Sequence, residues 1–498
     1  MLGVFVAVIA GGLTVVWTHW PFTQANVTAG LEQKFGSHVE IKSFHSSFFP
    51  PSCVAEGVTI RRNTQPDVTP IATVARLTIE GNYPGFFEVP KRIGHVTVEG
   101  LHVFVSPASE RAGAKAPGAQ GGDQTKIEIG DINADNSVLE FSSGEMGAKP
   151  LRFEIHNLTV NDAVEGKAMA YHVEMSNPLP PGEIRAEGEF GPLGTGKPEE
   201  APASGSFVFE HANLGVFPGI GGTLYSTGKF EGKLNQLEVA GMTDTPDFNV
   251  SPNPHTVHLR TQYHAVVNGW NGDVSLKSVK AQMGSSTVLA RGEIVSKGGS
   301  GSEGKTVSLT GIENEGSITD WLELLAHNHH AKMTGTMKFR TIVYVPPGKK
   351  DFIDRVNLRG DFEIGQADFT KPATQEKVNN LSRVAQGQKA DDAPESVFEN
   401  MRGHVEMENG VANVTDLYFG IPGALAHMHG TYGVDSDKID LHGNLRVDQK
   451  LSKGESGVKS VFLKAIEPMM KKKKAGEVVP VKITGTMREP SYGLDVLK

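Results

Sequence analysis

The sequence predicts a mainly β protein: an elongated, curved β-sheet or groove with Gly-rich turns, few short helices and one N-terminal transmembrane helix. Three observations carry that prediction. Period-2 runs such as HVTVEGLHVFV (95–105) and VPVKITGTM (479–487) recur along the chain. Glycine is abundant, at 58 of 498 residues, and marks the places where these runs turn. The opening segment MLGVFVAVIAGGLTVVW carries no charge, and the first charged side chain is Glu32.

Composition bounds the possibilities. A length of 498 residues suits about three ordinary domains, or repeated units along one axis. Apolar residues make up 38%, too few for a membrane bundle. The net charge is 48 − 57 = −9 with both signs spread along the chain, which argues against nucleic acid as the main partner. Cys53 is the single cysteine, so an intrachain disulfide and a thiolate metal cluster are excluded. Such sparing use of cysteine suits an oxidising compartment such as a periplasm.

Residues 1–20 are long enough to cross a bilayer as a helix. Gly11 and Gly12 are tolerated there, Trp17 and Trp20 suit the interface, and Pro21 ends the helix. The alternative is a cleaved signal peptide, but the basic start and the small-x-small site are missing. Residues 22–36 form an amphipathic helix on Phe22, Val27, Leu31 and Phe35, with Gly36 at its C-cap, placed to cap the open end of a sheet. Strands follow over Val39–Phe44, Val54–Ile60, Ile71–Ile79 and Ile93–Val105, the last with a slip at Gly100 that marks a bulge. This N-terminal region spans 21–105, and 106–126 is a flexible linker.

The middle β region spans 127–370. IEIGDINADNSVLEFSS (127–143) is expected to be a strand, an Asn/Asp turn and a second strand. Asn268-Gly269 and Asn271-Gly272 are turn signals for tight hairpins within a meander over 255–294. One short helix is expected near 319–328, capped by Thr319 or Asp320, with Trp321, Leu324 and Leu325 on one face. Residues 371–398 form a polar loop or helix. The C-terminal region, 399–498, holds a strand series from Met401 to Val447, a basic helix over 460–474 and a closing edge strand.

A sheet with one apolar face must close on itself, pack on a second sheet or hold an apolar ligand. If it holds lipid, Val96, Val98, Phe207, Phe209, Val405 and Met407 are the candidate groove lining. Lys471, Lys472, Lys473 and Lys474, after the apolar Val461, Phe462, Leu463 and Ile466, are candidates for contact with anionic headgroups or a membrane surface. Other chemistry finds no footing. His327, His329 and His330 lie close together without an HExxH pattern, so no metal is assigned. His427 and His429 flank Met428 in a strand and are expected to face solvent or headgroups. There is no GxSxG elbow, and the loop before Lys197 lacks the phosphate-binding form because Pro198 follows. Glu313 and Glu315 fall on a polar, exposed-looking stretch, with no acid/base pair in view. The chain is therefore expected to be no enzyme and to need no cofactor.

Two segments resemble the AsmA-like family. In the first, ANVTAGLEQKFGSHVEIKSFHSSFFPPSCVAEGVTIRR (25–62), the matching residues are Leu31, Phe35, Gly36, Val39, Ile41, Pro50, Gly57, Val58 and Ile60. The second starts at Met401 and runs through Gly403, Gly410, Phe419, Pro422, Gly423, Met428, Gly430 and Tyr432, like the AsmA-like C-terminal region. The resemblance covers both ends clearly and the middle only in general texture. It implies a chorein-like start over 21–105 and kinship with bridge-like lipid transfer proteins of the bacterial envelope. It further implies an inner-membrane anchor, a periplasmic body, phospholipid or another envelope lipid as partner, possible envelope protein partners, and a role in lipid transport or outer-membrane assembly. A non-catalytic scaffold is the alternative. The chain is short for a complete bridge.

Overall fold

In the computed structural model, residues 22–35, 37–61, 70–86, 91–105, 127–141, 150–163, 167–192, 198–250, 255–269, 271–296, 304–325, 333–369, 399–421, 424–447, 476, 478–486 and 490–495 are described. The expected membrane helix, the linker 106–126, the polar stretch 371–398, His327, His329, His330, the basic helix 460–474 and Lys471–Lys474 lie outside them. No helix among the described residues is long and apolar enough to cross a membrane.

The chain opens with α1 (Gln24–Phe35) and then builds β1 (His38–Ser47), β2 (Ser52–Arg61) and β3 (Ala72–Gly81). A one-turn helix, α2 (Tyr83–Phe86), leads to β4 (Lys91–Val105). The middle holds β5 (Ile127–Phe141), β6 (Leu151–Asn161), β7 (Met169–Pro178), β8 (Pro181–Phe190), β9 (Pro202–Asn213), β10 (Ile220–Gly221), β11 (Thr223–Lys233) and β12 (Gln236–Val250). It continues with β13 (Val257–Val267), β14 (Val274–Met283), β15 (Ser286–Val295) and β16 (Thr306–Ser317). Then come α3 (Ile318–Leu325), β17 (Met333–Val345), α4 (Phe352–Arg355) and β18 (Asn357–Phe369). The last strands are β19 (Glu399–Glu408), β20 (Val411–Ile421), β21 (Ala424–Gly433), β22 (Lys438–Val447), β23 (Val478–Thr486) and β24 (Pro490–Leu494).

Twenty-three of these strands form one sheet in which each pairs with the next in sequence, β9 passing directly to β11 while the two-residue β10 pairs with β12. Every pairing in that sheet is antiparallel except β4–β5, which is parallel. A parallel neighbour requires a crossover, and 106–126 supplies the chain for it.

The expected strands appear with small shifts in their ends. Four expectations are corrected. Gly100 takes a left-handed φ of +63°, but the register is unbroken across it (Arg76 pairs with Glu99, Val74 with Leu101), so it is a kink and not a bulge. Residues 127–141 are one strand rather than a hairpin: Asn136 adopts φ +48° as a single kinked residue, and β5 runs on through it. The two Asn-Gly pairs build one turn rather than two hairpins. The Gly272 amide donates to the Asn268 carbonyl, and the Asn268 side chain accepts from the Asn271 amide, so β13 and β14 join once. In α3 the cap is Ser317, whose hydroxyl accepts from the Thr319 amide at 3.2 Å. Asp320 instead accepts from the amides of Ser285 and Ser286, both at 2.9 Å, and Leu325 is exposed while Leu324 is buried.

Tight packing gathers at the two ends of the sheet, at one seam, and where Ile318 of α3 packs on Ile364 and Ala367 of β18. At the start, Val39, Ala55, Val58, Ile60, Ala72, Val74 and Leu77 form a buried cluster that α1 joins through Leu31. Phe22 and Cys53 are both 2% exposed and pack with Val27, Phe44, Ile79 and Tyr83. So α1 covers the first strands, as the sequence predicts. At the other end, Leu417, Ala426, Met428, Leu445, Val479 and Val481 are buried together.

Candidate functional site

Directly paired residues of neighbouring strands share a face of the sheet. Following the pairs from strand to strand therefore traces rows across the whole molecule. One row starts at Phe44 and passes through Ala55, Leu77, Val98, Ala134, Leu158, Val173 and Ala186 to Phe207. It continues through Gly228, Gly241, Tyr263, Val279, Ala290, Gly311, Thr341 and Gly360 to Val405. From there it reaches Val414, Gly430, Leu441, Ile483 and Tyr492. It crosses every strand of the sheet without meeting a charge.

A second row lies beside it. It runs from Ser46 and Cys53 through Ile79, Val96, Ile132, Val160 and Tyr171 to the glycines 188 and 205. Phe230, Val239, Ala265, Leu276, Gly292, Leu309, Val343, Leu358 and Met407 extend it, and it carries no charge either. The six lining candidates fall into this frame. Val98, Phe207 and Val405 occupy the first row, Val96 and Met407 the second, and Phe209 a third.

The larger members of these rows between the packed ends are neither buried nor fully exposed. Leu158, Val173, Phe207, Phe230, Tyr263, Val279, Leu276, Leu309, Val343, Val405 and Met407 are all half-buried, with Val239 the exception. In a sandwich the same positions would be closed by a second sheet. Here they face a trough. Its floor is kept low by rings lying over glycines. A Cβ on Gly228 would come within 2.8 Å of the Phe207 ring, and one on Gly241 within 2.8 Å of the Tyr263 hydroxyl.

The opposite face carries the charges. Glu56, Arg76, Glu99 and Asp135 are cross-strand neighbours, and Glu174 pairs with Arg185. Arg359–Glu406 (2.8 Å) and His404–Asp361 (2.7 Å) are exposed pairs of the kind worth at most about 1 kcal/mol each. His427 and His429 point to this solvent side while Met428 between them is 1% exposed, as their alternation predicts. A shallow recess of about 640 Å³ on β16–β20 mixes Lys338, Arg340 and Arg402 with Asp361, Glu363, Asp416 and Glu313, so neither sign dominates to select a ligand.

The two lips of the trough meet in the middle of the chain. Residues 214–222 leave the end of β9, and residues 346–356 leave the opposite end of β17. Seven inter-strand steps separate them, about 34 Å on a flat sheet. Yet a Cβ on Gly219 would lie 2.1 Å from the Phe352 nitrogen. Beside this contact, Val250, Val257, Met283 and Leu324 from one lip bury Ile353 from the other, with Phe352 and Val434 packed against them. The sheet therefore curls until its rims touch, and the trough is roofed at that seam.

Glu313 corrects the expectation of an exposed carboxylate. Glu313 keeps the phase of Leu309 and Gly311, so its side chain lies on the apolar face opposite Phe339, where it is 1% exposed; the register shifts only beyond it, before Gly316. The Trp321 indole N–H donates to its Oε2 at 2.7 Å, and the Trp321 ring meets Phe339 edge-on at 5.1 Å. Burial raises its pKa above the ordinary carboxylate value, against the hydrogen bonds from Trp321 and Ser286, and Asp320 adds to the rise. The polar run around Glu313 and Glu315 looked exposed, whereas strict alternation from Leu309 and Gly311 points Glu313 to the apolar face. Among the described residues no group of three or more His, Cys, Asp or Glu is arranged to hold a metal.

No protein-family model matches the chain, and the search of curated proteins finds no match.

Proposed function

We propose that this chain is a non-catalytic protein that binds or conducts phospholipid along its trough, anchored in a bacterial inner membrane by its N-terminal segment with its body in the periplasm. Its role is outer-envelope biogenesis, in keeping with the resemblance to the AsmA-like family. The observation that carries the proposal is the pair of uncharged rows that run across the sheet while most of their large side chains between the packed ends stay only half-buried. Exposed apolar surface of that extent is costly in water, at about 25 cal/mol for each Å². Acyl chains would remove the cost without a fixed partner. Along the sheet, 22 steps of about 4.8 Å give a contour of about 106 Å before coiling. The chain would then work as a partial conduit or with partners.

The test is extraction and native mass spectrometry of lipid from the purified full chain. Phospholipid should copurify with the wild type and be lost in Val405→Asp and Phe207→Asp, which place a charge in the first row. A second reading, a periplasmic scaffold assisting outer-membrane assembly, is favoured by the packed clusters at both ends of the sheet. A wild type that carries no lipid would decide for the scaffold.

A further inference from the structure

The third row differs from the other two. At β7 and β8 it is apolar, with Met175 and Ile184 leading to Phe209, and at β17 and β18 it is apolar again, with Phe339 and Phe362. Between them, on β11, β12 and β13, it becomes Ser226, Thr243 and Thr261. Thr243 and Thr261 face each other with their hydroxyl oxygens 2.7 Å apart. Ser226 donates to the Met242 carbonyl at 3.1 Å, and Tyr263 of the first row lies 3.3 Å from the Ser226 hydroxyl.

The position of this change matters. Thr243 and Thr261 stand on the two strands that end and begin at Val250 and Val257, the residues that meet Ile353 at the seam. Where the trough is open, the polar part of a lipid can stay in water while its chains lie on apolar rows. Thr243, Thr261 and Tyr263 are half-buried without a ligand, and acyl chains lying under the seam would cover them. An uncompensated ester or hydroxyl then costs several kcal/mol in an apolar setting, so a hydrogen-bonding lining is needed at that section. The hydroxyl inventory also constrains the ligand. In the Thr243–Thr261 pair one hydrogen lies between the two oxygens, so one O–H is left to donate, and neither hydroxyl has another partner among the described residues. There is no cation in the patch to meet a bare phosphate.

We propose that Thr243 and Thr261, with Ser226 and Tyr263 beside them, form a subsite for the glycerol-ester junction of a diacyl lipid inside the roofed section, the free threonine hydroxyl donating to an ester carbonyl. The inference rests on the lipid-binding reading above and adds to it which part of the lipid is recognised, and where. Tyr263 is held as a neutral donor, since burial raises its pKa against the opposing effect of its Ser226 hydrogen bond.

The test uses the full chain and two probes of equal chain length, a diacyl phospholipid and its dialkyl ether counterpart, which lacks the carbonyls. The wild type should bind the ester about five- to tenfold more tightly, the worth of one hydrogen bond in a dry site. The isosteric Thr243→Val/Thr261→Val variant removes both hydroxyls together and should abolish that preference by weakening ester binding alone. If it does not fold, Ser226→Ala/Tyr263→Phe is read the same way, with a partial loss of preference expected. Equal binding of the two probes by the wild type, or equal weakening of both in the variant, overturns the subsite and leaves the trough standing. Binding of neither probe by the wild type removes the subsite and the lipid reading together.

Discussion

Phe22→Ala is expected to release α1 from the start of the trough, and Cys53 reports the release. Phe22 sits on Cys53, and each is 2% exposed. Truncating a buried phenylalanine costs about 3–5 kcal/mol, and 1.36 kcal/mol is a factor of ten. The helix keeps other holds: Leu31 still packs on the first cluster, and Glu32 Oε1 still accepts from the Val39 amide at 3.1 Å. The lower end of the range then applies, and the undocked population rises about a hundredfold. Chemistry sharpens the contrast. Burial pushes the Cys53 thiol up to about 11, opposed by a backbone hydrogen bond involving Ile79. At pH 8 about a thousandth of it is thiolate when docked, against roughly a quarter for an ordinary exposed thiol. Labelling with a chromogenic disulfide reagent therefore reads the undocked state almost alone. The wild type should label slowly and Phe22→Ala about a hundred times faster, with far-ultraviolet circular dichroism unchanged. Wild-type labelling as fast as in denaturant, or no acceleration in the variant, would refute the packing argument.

Other outcomes follow from the same contacts. Glu313 has a raised pKa in the folded chain, so the fold favours its protonated form and wild-type stability falls as pH climbs above the ordinary value of 4.5. Glu313→Gln should gain in melting temperature relative to the wild type as pH rises above 4.5. Asp273 behaves oppositely. Burial pushes its pKa up, but Lys305 at 2.8 Å, the Ser296 amide and Asn271 outweigh that and hold it below the usual value. Its contribution is present above pH 3.8 and lost as pH falls through the folded value, so Asp273→Asn should be destabilised at neutral pH and converge with the wild type in strong acid. Gly188→Val should unfold the β8–β9 pairing, since a Cβ there would stand 1.9 Å from the Ser204 carbonyl; a melting curve indistinguishable from wild type would contradict this. Ile353→Ala removes the plug at the seam at a cost of about 2–5 kcal/mol. Hydrogen exchange should then quicken in both 214–222 and 346–356. Quickening in the second segment alone would mean that the lips do not hold each other.

What could be foreseen divides along a physical line. Alternation is local, and it placed the strands of 38–105, of the meander after residue 255 and of the series after Met401. It also set His427 and His429 outward around Met428. Register is not local. That Val98, Phe207 and Val405 share one row depends on the registers of every intervening pair, and no window of sequence contains that. The parallel β4–β5 pairing was hidden because it depends on the crossover, not on either strand. Asn136 looked like a turn because asparagine favours a left-handed backbone in both turns and kinks. Glu313 was misplaced because its polar neighbours Asn314 and Glu315 suggested solvent. Strict alternation from Leu309 and Gly311 is the signal that could have exposed it. The seam joins Gly219 to Phe352 across 132 intervening residues, and nothing near either announces the other.

The sequential order of the sheet bears on how such a chain is made. Since each of the twenty-three strands of the large sheet hydrogen-bonds to the next one in it, a nascent polypeptide can add each new strand to a template already formed behind it, and loop-closure costs stay small at each step. Assembly can then proceed in the direction of synthesis, as in repeat proteins. Two junctures break that rhythm: β4 must wait for the crossover before it gains its parallel neighbour, and the roof over the middle cannot form until α4 has emerged. The same order makes length adjustable, since inserting or deleting one β-hairpin would change the sheet by about 9.6 Å while leaving all other pairings in place.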